Sequence, residues 1–177
     1  MVALYDGSGE GGQQYCFQQA IKRDPQNWTA HMHRLMGLSE KWGGSHARMF
    51  EFAYQSSANA APGSLLPMLV VKAHLEYRKF LWLFEGDDNR AAHHLRSPEA
   101  RQEALEACER SLGAYTFDER AAIFARINAA GWFWLTRNRD VLRHELSALE
   151  GRIQDIHWRW VGAEGELAAA RRFAGLA

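Results

Sequence analysis

Histidine and cysteine are the side chains here that could hold a metal or attack a substrate, and their spacing argues against both. The eight histidines of this 177-residue chain include His31 and His33, two residues apart, and His74, two residues before Glu76. On a helix a step of two points to different sides, whereas paired ligands need steps of three or four. His93 and His94 lie in the polar stretch "EGDDNRAAHH" and would need ligands from elsewhere in the chain. Cys16 and Cys108 fall on apolar helical faces, where a thiol acts as a small hydrophobe, and no Ser-containing elbow motif occurs. Glu99 and Glu103 have helical spacing, but solvated faces produce such pairs routinely. No catalytic residue, metal ligand or cofactor is expected from these patterns.

Gly7, Gly9 and Gly12 have the form of a dinucleotide-binding turn, with a short strand-like run before them and a helix after. No second strand follows to complete a βαβ unit. A flexible terminus, residues 1–12, explains the same glycines. The remaining residues, 13–177, read as one helical-repeat-like domain.

Tryptophan is the excess worth following. Trp132 with Trp134, and Trp158 with Trp160, are two-apart pairs that cannot both face one core on a helix. One of each pair then covers a seam between helices or stands out as an aromatic anchor for a partner. Trp158, Arg159 and Trp160 could stack on bases, but Glu150, Asp155 and Glu164 dilute the local positive charge. Nucleic acid is not the expected partner.

The global balance agrees. Lys plus Arg and Asp plus Glu number 21 each, so no net field draws the chain toward nucleic acid or an anionic membrane. With 47% hydrophobic residues the chain has the material for a core. The N-terminus lacks a basic segment followed by an apolar one, so it does not read as a secretory signal. The apolar run "LLPMLVV" is too short to span a membrane and is followed by Lys72, His74 and Glu76. Two cysteines without metal spacing suit a reduced, cytoplasmic compartment, although two could also form one bridge.

The elements that must position these residues read as helices throughout. Gln13 to Arg23 forms the first, with Cys16, Phe17, Ala20 and Ile21 on one face, stopped by Pro25. A second begins near Asn27 and runs out near Lys41. Gly43 and Gly44 then let the backbone turn or approach a neighbour closely, Ser45 caps a third helix carrying Met49, Phe52 and Ala53, and Trp42 covers the corner. The fourth helix, from Leu66 to Phe84, is central, with Lys72, Glu76 and Lys79 largely on its opposite, polar side. "EGDDNRAAHH" is the longest loop. Ser97 and Pro98 open a fifth helix with Ala100, Ala104, Cys108 and Leu112 inside. Thr116 and Glu119 form a capping box for a sixth, which carries Phe117, Ala121, Phe124, Asn128 and Leu135 and which Gly131 loosens late. Asn138 caps a seventh through Leu149, either ending at Gly151 or running on through Ile153, Ile156 and Trp160. A short helix near Glu164 to Phe173 docks through Leu167 and Ala170 or frays.

β-branched residues are scarce and nothing alternates with period two, so the expected fold is all-α. The short connections predict antiparallel hairpins, a tetratricopeptide-like array of about seven or eight helices. Phe17, Ala20 and Pro25 have the spacing of the end of a tetratricopeptide repeat, and 27–62 is about one repeat long. "EKWGGSHARMFEFA", with Lys41, Trp42, Gly43, Gly44, Ser45, Met49, Phe52 and Ala53, resembles a bacterial family of unknown function related to tetratricopeptide proteins and marked by a Lys-Trp-Gly-Gly-Ser motif. The later stretch with Leu146, Gly151 and Trp158 is similar to that family's closing segment. The resemblance implies a helical-repeat fold and carries no reaction.

The expected function is a non-catalytic protein-interaction module. Arg34, Trp42, His74, Tyr77 and Arg78 are the candidates for a partner-binding groove. The alternatives are an enzyme or small-ligand binder with a polar pocket between helices, using His74 and Glu76, or a structural module self-associating through Trp158 and Trp160.

Overall fold

The computed structural model describes residues 9–112 and 120–176, and among them it is all-helical. Ten α-helices follow one another: α1 Gly9–Arg23, α2 Trp28–Gly37, α3 His46–Ala58, α4 Met68–Leu83, α5 Asp88–Arg96, α6 Pro98–Leu112, α7 Arg120–Leu135, α8 Arg139–Ala148, α9 Asp155–Trp158 and α10 Leu167–Ala174. Single 3-10 turns lie at Glu40–Trp42 and Arg159–Val161. Local chemistry sets most of the starts. Asn27, Ser45, Asp87 and Asn138 each accept a backbone N–H three residues on, from Ala30, Arg48, Arg90 and Val141. Each such cap contributes about 1 kcal/mol. Ser97 does the same for α6, which begins on Pro98.

Helix α4 is the axis of the molecule. It packs against α2, α3, α5, α6 and α7, a wider set than the flanking neighbours a stacked repeat would touch. Every residue from Ser64 to Glu76 is buried. A helix covered on all sides should be apolar all round. This one carries Lys72, His74 and Glu76, so each must find partners inside the fold or be expelled. The face expected to be solvated is therefore interior, and everything functional described below follows from how its charges are met.

Several expectations need correction. The polar stretch read as a loop contains α5, because the Asp87 cap and two buried residues one turn apart, Ala91 and Leu95, are enough to seat nine residues on α4. The α1 helix starts at Gly9, so 9–12 are helical; residues 1–8 lie outside the described residues, as do Thr116, Phe117 and Glu119. Cys16 is exposed, because α1 packs chiefly on α2 and leaves that side open. Leu66 is buried in the turn before α4 rather than in the helix. Phe124 stands partly exposed. Gly131 does not loosen α7: it lets Val161 lie against the helix, where an added Cβ would come 2.5 Å from a valine methyl. Gly151 ends the segment after α8 with a positive φ of 69°, and Ile153 through Trp160 do not continue it. The helices number ten among the described residues, above the expected seven or eight.

The tryptophan pairs resolve differently. Trp132 packs edge-on to His74, while Trp134 meets Phe173 of α10 and donates Nε1–H to Glu166, so both are buried in separate seams. Trp158 is fully buried and Trp160 is 53% exposed. No helix among the described residues is long and apolar enough to cross a membrane.

Candidate functional site

Two clusters grow from opposite sides of α4, because His74 and Glu76 are two residues apart and point away from each other. On one side His74 is buried by Phe50, Trp132 and His94. Its Nε2 lies 2.8 Å from Oε2 of Glu103 on α6, and its Nδ1 lies 2.9 Å from Nε2 of His94 on α5. A carboxylate only accepts, so His74 Nε2–H donates to Glu103 and Nδ1 carries the lone pair. His94 then donates through Nε2 and keeps its own lone pair on Nδ1. Tyr54 of α3 donates its hydroxyl to the same Glu103 oxygen at 3.0 Å, and burial followed by that bond pushes its phenol up to about 12. The chain Tyr54–Glu103–His74–His94 thus joins four helices and orders the protons along it.

Burial holds both imidazoles below their ordinary value, despite the pull of Glu103 on His74, and takes His94 to about 4. The unfolded chain therefore binds more protons than the folded one between the ordinary histidine value of 6.5 and about 4. The histidine contribution to stability falls as pH drops through that window and levels off below it. We expect the thermal midpoint to fall across pH 6.5 to 4, less steeply in His94→Asn, and an NMR titration of His94 near 6.5 would contradict the assignment.

On the other side Glu76 is buried among lysines from two elements. Lys41 Nζ, on the 3-10 turn, lies 2.7 Å from Oε2, and Lys72 and Lys79 of α4 lie 2.9 and 2.5 Å from Oε1. Burial alone would raise this carboxyl, but Lys72, Lys79 and Lys41 together outweigh it and hold it well below the usual carboxylate range. Burial, and then the charge on Lys72, bring Lys79 down to about 8 against the pull of Glu76. Lys72 and Lys79 also donate to the carbonyl of Trp160, at 3.4 and 3.2 Å. The corner at Lys41–Trp42, helix α4 and the turn at Trp160 are thereby tied to one carboxylate.

A cavity of about 50 Å³ opens beside this cluster, lined by Ser39, Glu40, Lys41, His46, Met49, Glu76, Lys79, Phe80, Leu83 and Phe84. Two of its apolar residues, Leu83 and Phe84, are each more than 60% accessible. Trp42, next to Lys41, is 45% accessible. A second cleft of about 250 Å³ lies between the α1–α2 turn, α2, α3 and Leu66, with His31 and Phe52 on its walls.

The five residues expected to share a groove do not share one. Arg34 is buried on α2, and His74 is interior. Tyr77 is half-buried between His46, Phe50 and His94. Arg78 points the other way, donating to the carbonyl of Gly162 at 2.7 Å and lying over the Trp82 ring. Trp42 alone of the five is exposed, and it follows Lys41, which lines the cavity. Lys41, Lys79, Leu83 and Phe84 were not singled out, although Lys72–Glu76–Lys79 has the i, i+4 and i, i+3 spacing of a helical ion cluster.

Among the described residues no group of three His, Cys, Asp or Glu is arranged to hold a metal. His74 uses both ring nitrogens on neighbours. Neither Cys16 nor Cys108 is in a disulfide, and burial, with a smaller push from Glu145, raises the Cys108 thiol to about 12, which leaves it a poor nucleophile. No protein-family model, curated protein or solved structure matches this chain.

Proposed function

We propose that the chain is a protein-interaction module whose contact surface is the corner formed by Trp42, the end of α4 and the Trp160 turn. The observation behind it is that Leu83 and Phe84, at the end of α4, are exposed apolar side chains on the wall of the lysine-lined cavity, while Trp42 follows Lys41 in the chain, Trp160 offers its carbonyl to Lys79, and both are partly exposed, as is Trp82. Single exposed apolar residues are ordinary, but exposed apolar side chains on the wall of a charged cavity, with partly exposed tryptophans on the neighbouring segments, are the composition of a binding patch. In this reading the chain keeps the hairpin logic of tetratricopeptide-like arrays over α1 to α3 and gathers round α4 beyond them. Rigidity supports it too, since Glu76 and the Trp160 carbonyl hold the three parts of the surface in register.

The test is affinity purification from the native cell with the wild-type chain and a Trp82→Ser, Phe84→Ser double variant, followed by binding of each recovered protein in purified form. At least a tenfold loss of one direct interaction, with helicity unchanged, is expected. Equal binding by both chains removes this surface. Self-association is separated by light scattering with Trp160→Ala. Trp158 is unsuitable for that purpose, being buried to 0% exposure, and its truncation should cost about 3–5 kcal/mol in stability.

A second reading, an enzyme or small-ligand pocket, has one observation in its favour, the Glu103–His74–His94 chain, which orients an imidazole as a carboxylate orients a general base. Neither cavity described above is lined by His74 or His94. The interaction reading is therefore preferred.

A further inference from the structure

Lysine outnumbers glutamate in the cluster that backs the 50 Å³ cavity. Three ammonium groups share the Glu76 carboxylate, and the other acid on the wall, Glu40, lies 2.9 Å from His46 and is half-exposed. Lys41 and Lys79 on the wall balance Glu40 and Glu76, and Lys72, behind Glu76 and off the wall, adds one further positive charge to the cluster. The donors are also in surplus. An ammonium offers three N–H groups. Among the described residues Lys41 meets only Glu76, and Lys79 meets Glu76 and the Trp160 carbonyl, so the two lysines that line the cavity keep donors to spare.

We propose that this cavity binds a carboxylate carried on a short apolar group, supplied by an acidic residue of the partner segment that covers the Trp42–Phe84 surface. The assignment rests on the interaction reading above and names the chemistry of its partner. A monoanion matches the single uncompensated charge, whereas a dianion would be repelled by Glu76 and Glu40. Size agrees: about 50 Å³ accommodates roughly four water-sized groups, which is a carboxylate and one methylene. The walls beyond the lysines are Met49, Phe80, Leu83 and Phe84, so the carbon end of the ligand meets apolar surface leading out to the exposed rim. An entering anion also stabilises the charged form of Lys79, whose ammonium faces Lys72 and Glu76 from its own helix and Lys41 from the turn, with Glu40 and His46 across the cavity.

The probes are butyrate, n-butanol and inorganic phosphate, titrated at constant ionic strength and followed by NMR at the Met49 methyl and the lysine side chains. Butyrate should bind saturably, at least tenfold more tightly than butanol or phosphate, and the binding should weaken as pH rises through about 8, where Lys79 gives up its proton. Lys41→Gln, on the rim, should weaken butyrate at least tenfold without loss of fold, and Phe84→Ser should weaken it less. Equal binding of butanol, tighter binding of phosphate, or unchanged binding by Lys41→Gln overturns the site. Butyrate should also compete with the purified partner. Butyrate binding without competition would refute the partner's carboxylate while leaving the surface intact, and loss of the partner in Trp82→Ser, Phe84→Ser but not in Lys41→Gln would do the same.

Discussion

Glu76→Gln should be among the most damaging isosteric changes in the molecule, costing about 3–5 kcal/mol at neutral pH, the range found when one partner of a buried ion pair is removed. Gln keeps the volume and can still accept a hydrogen bond, so packing is not what is lost. What is lost is the negative charge that three ammonium groups share within 2.9 Å. For a chain of this size the thermal midpoint should fall by about 6–20 °C.

The pH dependence identifies the cause. In the native chain Lys79 is already lowered to about 8 from 10.5, so between those values the unfolded chain binds the extra proton and stability rises with pH. Without Glu76 the attraction that sustains the Lys79 charge is gone, its folded value drops further, and the window of rising stability opens at lower pH. The deficit of Glu76→Gln should therefore shrink as the buffer moves from pH 7 to 10. A deficit that stays constant would mean that shape rather than charge was removed. The apolar triple variant Lys72→Met, Glu76→Leu, Lys79→Met should recover much of the stability, because it removes the burial penalty together with the attraction.

That cluster also shows where a linear reading stops. Ser45, Gly43 and Asn138 were legible because caps and turns are local events, decided by a hydroxyl or amide three residues from the N–H it accepts. The spacing of Lys72, Glu76 and Lys79 was equally plain, yet it reads as a solvated face, since only the arrival of Lys41 and the Trp160 carbonyl, 35 and 81 or more residues away in sequence, makes it an interior one. The His74 chain is hidden for the same reason, being assembled from α3, α4, α5 and α6. Helix α5 failed to announce itself because two apolar residues, Ala91 and Leu95, are all it buries, and the mostly polar residues around them resemble a loop. Trp158 and Trp160 were recognised as unable to share a core, but which of them faces outward depends on how α9 docks on α7.

Gly44→Ala is the substitution that tests whether the Lys-Trp-Gly-Gly-Ser corner holds the fold as well as the surface. Gly43 and Gly44 look alike in sequence and serve different purposes. Gly43 sits at φ 87°, with no atom within 4 Å of where a Cβ would be, so alanine there meets only the left-handed backbone penalty of about 1–2 kcal/mol. Gly44 is crowded instead: its added Cβ would stand 2.0 Å from the carbonyl oxygen of Leu38, which is backbone and cannot rotate away. That same oxygen accepts the Ser45 N–H at 3.0 Å, and Gly44 N–H donates to Ser39 at 3.2 Å, so relieving the clash breaks the bonds that close the turn. Gly44→Ala should accordingly cost on the order of 3 kcal/mol or more, exceeding Gly43→Ala. Urea melts give the comparison, provided the slope is unchanged. Because Lys41 reaches Glu76 only from this turn, Gly44→Ala should also raise the exposure of Trp42 to quenchers and abolish butyrate binding, while Gly43→Ala leaves both near the native level. Equal costs for the two alanines would show that conformational freedom, not the close approach to Leu38, is what both glycines provide.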